Sequence, residues 1–355
     1  MFANLTLRPQ FTLAVLAAIS IAYAQDELPS GVLISSRAIA FNPANGKIYA
    51  VDESRGAVSV IDSRTNSSIS VKVGADPDAL AINTVTGAVY VANSSAGTVS
   101  ALDGVTNAVT ATYKAGSHPY VLAVNEATNK VYVTNTFSNA VAEIDLAAKT
   151  TRFLKIGSAD NIAIDSHSNR VFLIGYEDPN IRIMNGATNV VEKAAAHEHL
   201  WGMTINEATG KLYVTGAGNG DLLAVDPDSG QAAKIPVGAI PCAVAVNAQT
   251  NMIYVANYGD NTVTVIDGEK ENAVATIKVG SGPQAITVDS RVNRAYVANT
   301  HDNSITVIDG QNNTTIATVP AGRNPYAIAV GADTGTIYVA NFGEPFFTAV
   351  HVGTK

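Results

Sequence analysis

Val89-Tyr90-Val91-Ala92-Asn93 is a phrase that this chain repeats. It returns as Val131-Tyr132-Val133-Thr134-Asn135, Ile253-Tyr254-Val255-Ala256-Asn257, Ala295-Tyr296-Val297-Ala298-Asn299 and Ile337-Tyr338-Val339-Ala340-Asn341. Looser copies stand at Ile48-Tyr49-Ala50-Val51, Val171-Phe172-Leu173-Ile174 and Leu212-Tyr213-Val214-Thr215. The aromatic positions are 49, 90, 132, 172, 213, 254, 296 and 338, at intervals of 40 to 42 residues. A period this regular means one supersecondary unit used eight times.

Each unit holds four short apolar segments separated by turn residues. In residues 237–279 these are Cys242-Ala243-Val244-Ala245-Val246, Met252-Ile253-Tyr254-Val255-Ala256, Thr262-Val263-Thr264-Val265-Ile266 and Ala273-Val274-Ala275-Thr276-Ile277. They are β-branched, short and bounded by Gly, Asn, Asp and Pro, which is strand chemistry. The turn after the first strand begins with Asx and ends with Gly or Asn: Asn83…Gly87, Asn125…Asn129, Asn206…Gly210, Asn247…Asn251. The turn after the third strand repeats the device: Asp103…Asn107, Asp226…Gly230, Asp267…Asn272, Asp309…Asn313. An Asx side chain bonds the backbone ahead of it, and Gly or Asn accepts the positive φ that closes such a loop. Short loops force antiparallel neighbours. One unit is therefore a four-stranded meander.

A single such sheet has two faces and cannot bury both alone. Eight in a ring bury them against each other, as propeller blades do. The expected fold is all-β: a β-propeller of eight four-stranded antiparallel blades, with seven as the alternative count. The repeated aromatic fills the space between neighbouring sheets. The last unit ends without a fourth strand, and Gly31-Val32-Leu33-Ile34 precedes the first. These four residues are expected to complete the last blade and close the ring, removing two open edges. Deleting residues 25–34 should then lower the melting temperature strongly.

Arg8 is the only charge ahead of an apolar run from Phe11 to Ala22, and Ala22-Tyr23-Ala24 fits a small-x-small cleavage site. Residues 1–24 are expected to be a signal peptide and residues 25–355 a single propeller domain. Export to the periplasm, the cell surface or the medium follows, with no membrane span in the mature chain. Its removal leaves 21 basic and 30 acidic residues, a net of −9. An acidic chain with no basic run is a poor binder of nucleic acid. Cys242 is the only cysteine, so no intrachain disulfide forms. A lone Cys is expected to behave as a small buried hydrophobe.

The Tyr-Val-Ala-Asn and Tyr-Val-Thr-Asn phrases, the Gly-x-x-Pro-x-Ala-Ile-Ala-Val pattern and Thr262-Val263-Thr264-Val265-Ile266-Asp267 together resemble the YVTN-repeat β-propellers of exported bacterial and archaeal proteins. The resemblance spans essentially the whole mature chain. It implies a propeller that serves as a binding or surface-associated module. Related propellers include a lactonase family and the haem domain of a periplasmic nitrite reductase. Such rings commonly have seven blades, whereas eight units are counted here.

The informative positions are those that vary. The loop leading into the first strand carries Gly-x-x-Pro at 74–77, 116–119, 238–241, 280–283 and 322–325. The residue after Pro runs Arg37, Asp78, Tyr120, Asn161, Trp201, Cys242, Gln284 and Tyr326 around the ring. The residue before it gives Ser35, Asp76, His118, Asp160 or Ala159, His199, Ile240, Gly282 and Asn324. A constant frame thus presents a varied rim beside the axis, on the face shared with the loops between strands two and three. The candidate rim is Asp76, Asp78, His118, Tyr120, Asp160, Asn161, His199, Trp201, Gln284, Asn324 and Tyr326.

Units four and five depart most, with Gly157-Ser158-Ala159-Asp160-Asn161 and His197-Glu198-His199-Leu200-Trp201. His-x-His in an extended chain puts both rings on one side, as metal sites require. With His118, these residues are the candidate ligands of a divalent metal. The plainer reading is a polar loop with Trp201 packed on the rim, and no cofactor is predicted.

Three functions remain in play. The first is a monomeric, non-enzymatic module that binds a protein, a glycan or a small polar ligand. The second is a lactonase-like hydrolase with a metal at the channel mouth, using Asp76, Asp78, Asp160 and Glu198 with His118 or His199 as base. No Gly-x-Ser-x-Gly, zinc motif or phosphate loop accompanies it, and a haem carrier lacks Cys-x-x-Cys-His. The third is a purely structural envelope component.

Overall fold

The computed structural model describes residues 38–135, 138–331, 333–343 and 347–351. Among these residues the strands form seven sheets of four and one of three, so the ring has eight blades. Blade 2 is representative: Pro77–Ile82, Val89–Asn93, Thr98–Leu102 and Val109–Lys114 run antiparallel from the axis outward. Its inner three strands are largely buried, whereas the outermost alternates between solvent and sheet. No helix among the described residues is long and apolar enough to cross a membrane.

The repeated aromatic sits where the period implied. Tyr49, Tyr132, Phe172, Tyr213, Tyr254 and Tyr338 are among the largest fully buried side chains. Tyr49 packs with Leu80, Val89, Val91 and Leu102 of the following blade, and Tyr213 with Ile253, Val255 and Ile266. Each such side chain contributes about 2 kcal/mol of burial free energy, repeated around the ring.

The turns behave as their residues dictate. Gly87, Asn129, Gly210 and Asn251 all take positive φ after the first strand. After the third, Asn107, Gly230 and Asn313 do the same. Blade 6 differs from expectation: Glu271 takes the left-handed position at φ 53°, and Asn272 already begins the outer strand. Asn42 does a second job. Its Oδ1 accepts from Ala44 N, while its Nδ2 donates 2.8 Å to the Gly87 carbonyl of the next blade. Asn125, Asn206 and Asn247 likewise donate to Asn169, Asn251 and Asn293, each at 2.7 Å. These side chains latch neighbouring blades on the face opposite the leading loops.

Blade 8 has three strands among the described residues: Pro325–Val330, Ile337–Asn341 and Phe347–Val350. The closing segment 31–34 lies outside the described residues, as do Ser35 and Arg37. The ring nevertheless meets itself through side chains. Ala327, Tyr338 and Ala340 pack with Ala38, Ile39, Ile48 and Ile61. Tyr338 Oη donates to the Ser63 carbonyl at 3.1 Å, and Ser63 Oγ donates to Asp333 at 3.0 Å.

Candidate functional site

The leading loops are set by a lock between Gly and Asn. A Cβ on Gly74, Gly116, Gly238, Gly280 or Gly322 would overlap the buried side chain of Asn93, Asn135, Asn257, Asn299 or Asn341. The carboxamide then braces the third strand: Asn93 Nδ2 donates to Thr98 and Ser100, Asn257 Nδ2 to Thr262 and Thr264, and Asn299 Nδ2 to Ser304 and Thr306. Blades 4 and 5 keep the lock with different parts. In blade 4 the Asn has become Gly175, and Arg182 from the third strand fills the space. Its guanidinium donates to the carbonyls of Ile156 and Ser158. In blade 5 the pair is inverted: His197 stands at the Gly position and Gly216 at the Asn position. His197 is buried, with Nε2 2.8 Å from Asp221 Oδ1 and Nδ1 2.9 Å from the Glu198 carbonyl.

Position 197 therefore belongs to the frame, and the loop there is not extended, because His199 has φ 55°. His197 turns inward to Asp221 while His199 stacks on Tyr176, ring centroids 4.6 Å apart. Tyr176 in turn meets Trp201 edge-on at 5.6 Å. His118 lies exposed in the loop of blade 3. Among the described residues no three His, Cys, Asp or Glu side chains come together as a metal site needs.

A second feature decides where the rim side chains go. In blades 2, 6, 7 and 8 the inner strand carries one extra residue between Pro and the Ala two residues on: Asp78, Cys242, Gln284 and Tyr326. Blades 3 and 5 have a bulge in the same place, at Tyr120-Val121 and Trp201-Gly202. Blade 4, which lacks the Pro, pairs regularly from Asn161. A bulge re-aims a side chain and increases the local twist. Repeated around the ring, it turns the residue after Pro out of the ladder.

These side chains fall into two groups. Asn161 Nδ2 donates to the Trp201 carbonyl at 3.1 Å, and the Cys242 thiol donates to the Pro283 carbonyl at 3.2 Å. Gln284 Oε1 accepts from Thr300 Oγ1, which also lies 2.7 Å from the Pro325 carbonyl. These three tie one inner strand to the next, and burial pushes the Cys242 thiol up to about 12, so it is inert. Among the described residues no such tie holds Asp78, Tyr120, Trp201 or Tyr326. Of the residues before Pro, Asp76 accepts from Ser95 Oγ and Ser94 N, and Asn324 donates its backbone N–H to Asn303 Oδ1 and accepts from Phe342 N at its carbonyl; both take positive φ. They shape the loop.

The free group is electrically unusual. Burial raises the Asp78 carboxyl to about 7, opposed by a Ser94 hydrogen bond and reinforced by Glu53 and Asp76. Asp160 keeps an exposed edge, yet desolvation still pushes it up, against the pull of the Tyr176 N–H at 2.8 Å and of Arg182. Glu53 is raised by desolvation and by Asp76. Burial raises Tyr120 and Tyr326 well above the ordinary phenol range, and the charges of Asp78 and Asp160 act on Tyr120. Carboxylates from blades 2 and 4 thus flank a hydroxyl from blade 3 at the mouth of the ring, and Glu53 of blade 1 acts on Asp78 and Tyr326. Further along the same strands lies an axial cavity of about 390 Å³, lined by Ile39, Leu80, Leu122, Ala163, Met203 and neighbouring residues of blades 1 to 5.

The sequence profile of one β-propeller family matches residues 167–353. The chain belongs to the YNCE-like β-propeller family. No curated protein sequence matches it. Among solved structures, this family member is similar to hydrazine synthase of Kuenenia stuttgartiensis at 17% identity and TM-score 0.62, over 80% of this chain and 99% of that one. It is similar to the dihydro-haem d1 dehydrogenase NirN at 14% identity and TM-score 0.70, over 91% and 72%. Virginiamycin B lyase of Staphylococcus aureus follows at 12% and 0.61, over 74% and 92%. At these identities the likeness concerns the fold alone.

Sequence reasoning named candidate rim positions but not the bulges, which have no residue signature beyond the Pro. It also missed Glu53, Tyr176 and Ser94, which reach the mouth from loops between strands two and three. The loss of Asn at 216 was a readable sign that His197 belongs to the frame.

Proposed function

We propose that this propeller is an exported binding module whose ligand sits at the leading-loop mouth, against Asp78, Tyr120, Trp201 and Tyr326. The observation that carries the reading is the division of the bulged positions. Asn161, Cys242 and Gln284 are taken up by bonds between inner strands, whereas these four side chains are half-buried at the mouth and, among the described residues, make no bond to the next inner strand. Rigid presentation lowers the ordering cost of binding. The resemblance to exported YVTN-repeat proteins supports export and a surface-associated role. A thermal-shift screen of the mature chain against sugars, amines, organic acids and peptides tests it. A hit whose shift disappears in Tyr120→Leu and Trp201→Leu, both still folded, is expected. A hit indifferent to both variants overturns the placement.

One observation favours a hydrolytic second reading: a carboxyl near 7 is poised to take and return a proton at neutral pH. Turnover of a lactone panel that is lost in Asp78→Asn would establish it.

A further inference from the structure

An asparagine followed by glycine can react with its own backbone. Glycine has no Cβ to keep its nitrogen from the Asn carboxamide carbon, and the two can close a five-membered imide. The chain has three such pairs, Asn45-Gly46, Asn185-Gly186 and Asn219-Gly220. Closure needs a carboxamide that is free to turn and a glycine nitrogen that is free to lose its proton.

Two pairs lack that freedom. Asn45 is tied at both ends of its side chain: Nδ2 donates to the Gly104 carbonyl at 2.7 Å and to Tyr49 Oη at 3.1 Å, and Oδ1 accepts from Lys47 N at 3.0 Å. Gly46 N donates to the Asn42 carbonyl at 2.9 Å. Asn185 Oδ1 accepts from Ala187 N and Thr188 N, and the buried Gly186 donates its N–H to the Asn169 carbonyl at 2.8 Å. Reaction at either pair must wait for a local opening.

The third pair is different. Asn219 is exposed, in the turn between Leu212–Gly216 and Asp221–Val225 of blade 5. Its Nδ2 lies 3.3 Å from His197 Nε2, at the long limit of a hydrogen bond. Among the described residues no protein group bonds its Oδ1 or the Gly220 N–H. The corresponding glycines of blades 1 and 2, Gly56 and Gly97, donate to the Glu53 and Ser94 carbonyls at 3.0 and 3.2 Å.

We propose that Asn219 is a site of spontaneous backbone modification, selected from the three pairs by the fold. The Gly220 nitrogen gives its proton to hydroxide and bonds to Asn219 Cγ. The Cγ–Nδ2 bond breaks, and the nitrogen leaves as ammonia with a proton from water. A second water opens the imide at either carbonyl, leaving aspartate or isoaspartate at position 219. Both products put a carboxylate beside the buried pair of His197 and Asp221, which are 2.8 Å apart. Isoaspartate also lengthens the backbone by one atom just ahead of Asp221, which pairs with Gly216 in the ladder. The modification therefore acts on the lock of the loop that carries His199 and Trp201.

The test is incubation of the folded mature chain at mildly alkaline pH, sampled over days by peptide mass spectrometry and by labelling with an isoaspartyl methyltransferase. Position 219 should convert at least ~10-fold faster than 45 or 185, because only there is no opening required. In guanidinium chloride the three rates should converge. Asn219→Gln, whose longer side chain closes a ring far more slowly, should lose most of the methyl label while melting curves show it folded. Aged parent protein should melt below fresh protein, and aged Asn219→Gln should not. Equal conversion at the three positions of the folded chain, faster conversion at 45 or 185, or a label that persists in Asn219→Gln overturns the proposal. An aged parent that melts as the fresh protein does overturns the link to the His197 lock.

Discussion

The imidazole of His197 stands in the space that an asparagine carboxamide fills in other blades, and it can do so because residue 216 is glycine. A side chain at 216 would run into the His197 ring. Gly216→Asn alone is therefore expected to destabilise the protein by about 2 kcal/mol or more through overpacking. His197→Gly alone should cost a similar amount, since it strips Asp221 of its buried partner and opens a cavity. The double variant rebuilds the arrangement of blades 2, 6 and 7, so it should recover much of the loss, with a coupling above about 1 kcal/mol. Chemical denaturation of the four proteins measures it; strict additivity would mean that the two sites do not share one volume.

Asp78 makes the protein less stable as pH rises. Its folded value, about 7, lies above the ordinary 3.8, so the native state binds the proton more tightly than the unfolded chain does. There is no penalty below about 4; it grows from 4 to 7 and is complete above 7. Asp78→Asn removes it. The variant should be more stable than the parent at pH 8, by on the order of 1–2 kcal/mol, and about equal to it at pH 4. A variant that is less stable at pH 8 would contradict the burial of this carboxyl.

Ile240 holds φ 51°, where a β-branched side chain clashes with its own backbone. Gly282 and Asn324 occupy the same place in blades 7 and 8. Ile240→Gly or Ile240→Asn should raise stability by about 1 kcal/mol. An unchanged or lower melting temperature would show that the Ile240 side chain contributes packing that outweighs its backbone strain.

The repeated tyrosines are not equivalent. Tyr338 Oη bonds Ser63 and Asn66 across the closure, whereas Tyr213 Oη and Tyr254 Oη are buried with no hydrogen-bond partner among the described residues. Tyr338→Phe should cost about 1 kcal/mol, and Tyr213→Phe should be neutral or stabilising. Paired melting curves of the two variants decide it, since equal losses would remove the distinction.

The architecture was legible because each blade repeats the same local instructions. An aromatic residue every 40 to 42 residues counted eight units, and Gly87 or Asn129 at the close of a short turn implied antiparallel strands. Local rules sufficed there. They did not suffice where one blade answers another. The latch from Asn42 to Gly87 spans 45 residues, and the tie from Cys242 to Pro283 spans 41. Both depend on the radial packing of sheets, which periodicity implies but does not detail. The left-handed Glu271 was missed because the neighbouring Asn272 offered the more usual residue for that conformation. Blades 4 and 5, singled out for departing from Gly-x-x-Pro, keep the Gly–Asn lock with other parts, Arg182 in one and His197 in the other. The positions of Asp78, Tyr120 and Trp201 in the leading loops could be read from the repeat, but the electrical surroundings of Asp78 needed Glu53 and Asp76 in place.

The most direct measurement is a crystal structure of the mature chain soaked with its strongest thermal-shift ligand. Density in contact with Asp78, Tyr120 and Trp201 at the leading-loop mouth is the predicted result. Density on the opposite face, beside the Asn42 and Asn125 latches, would contradict the account.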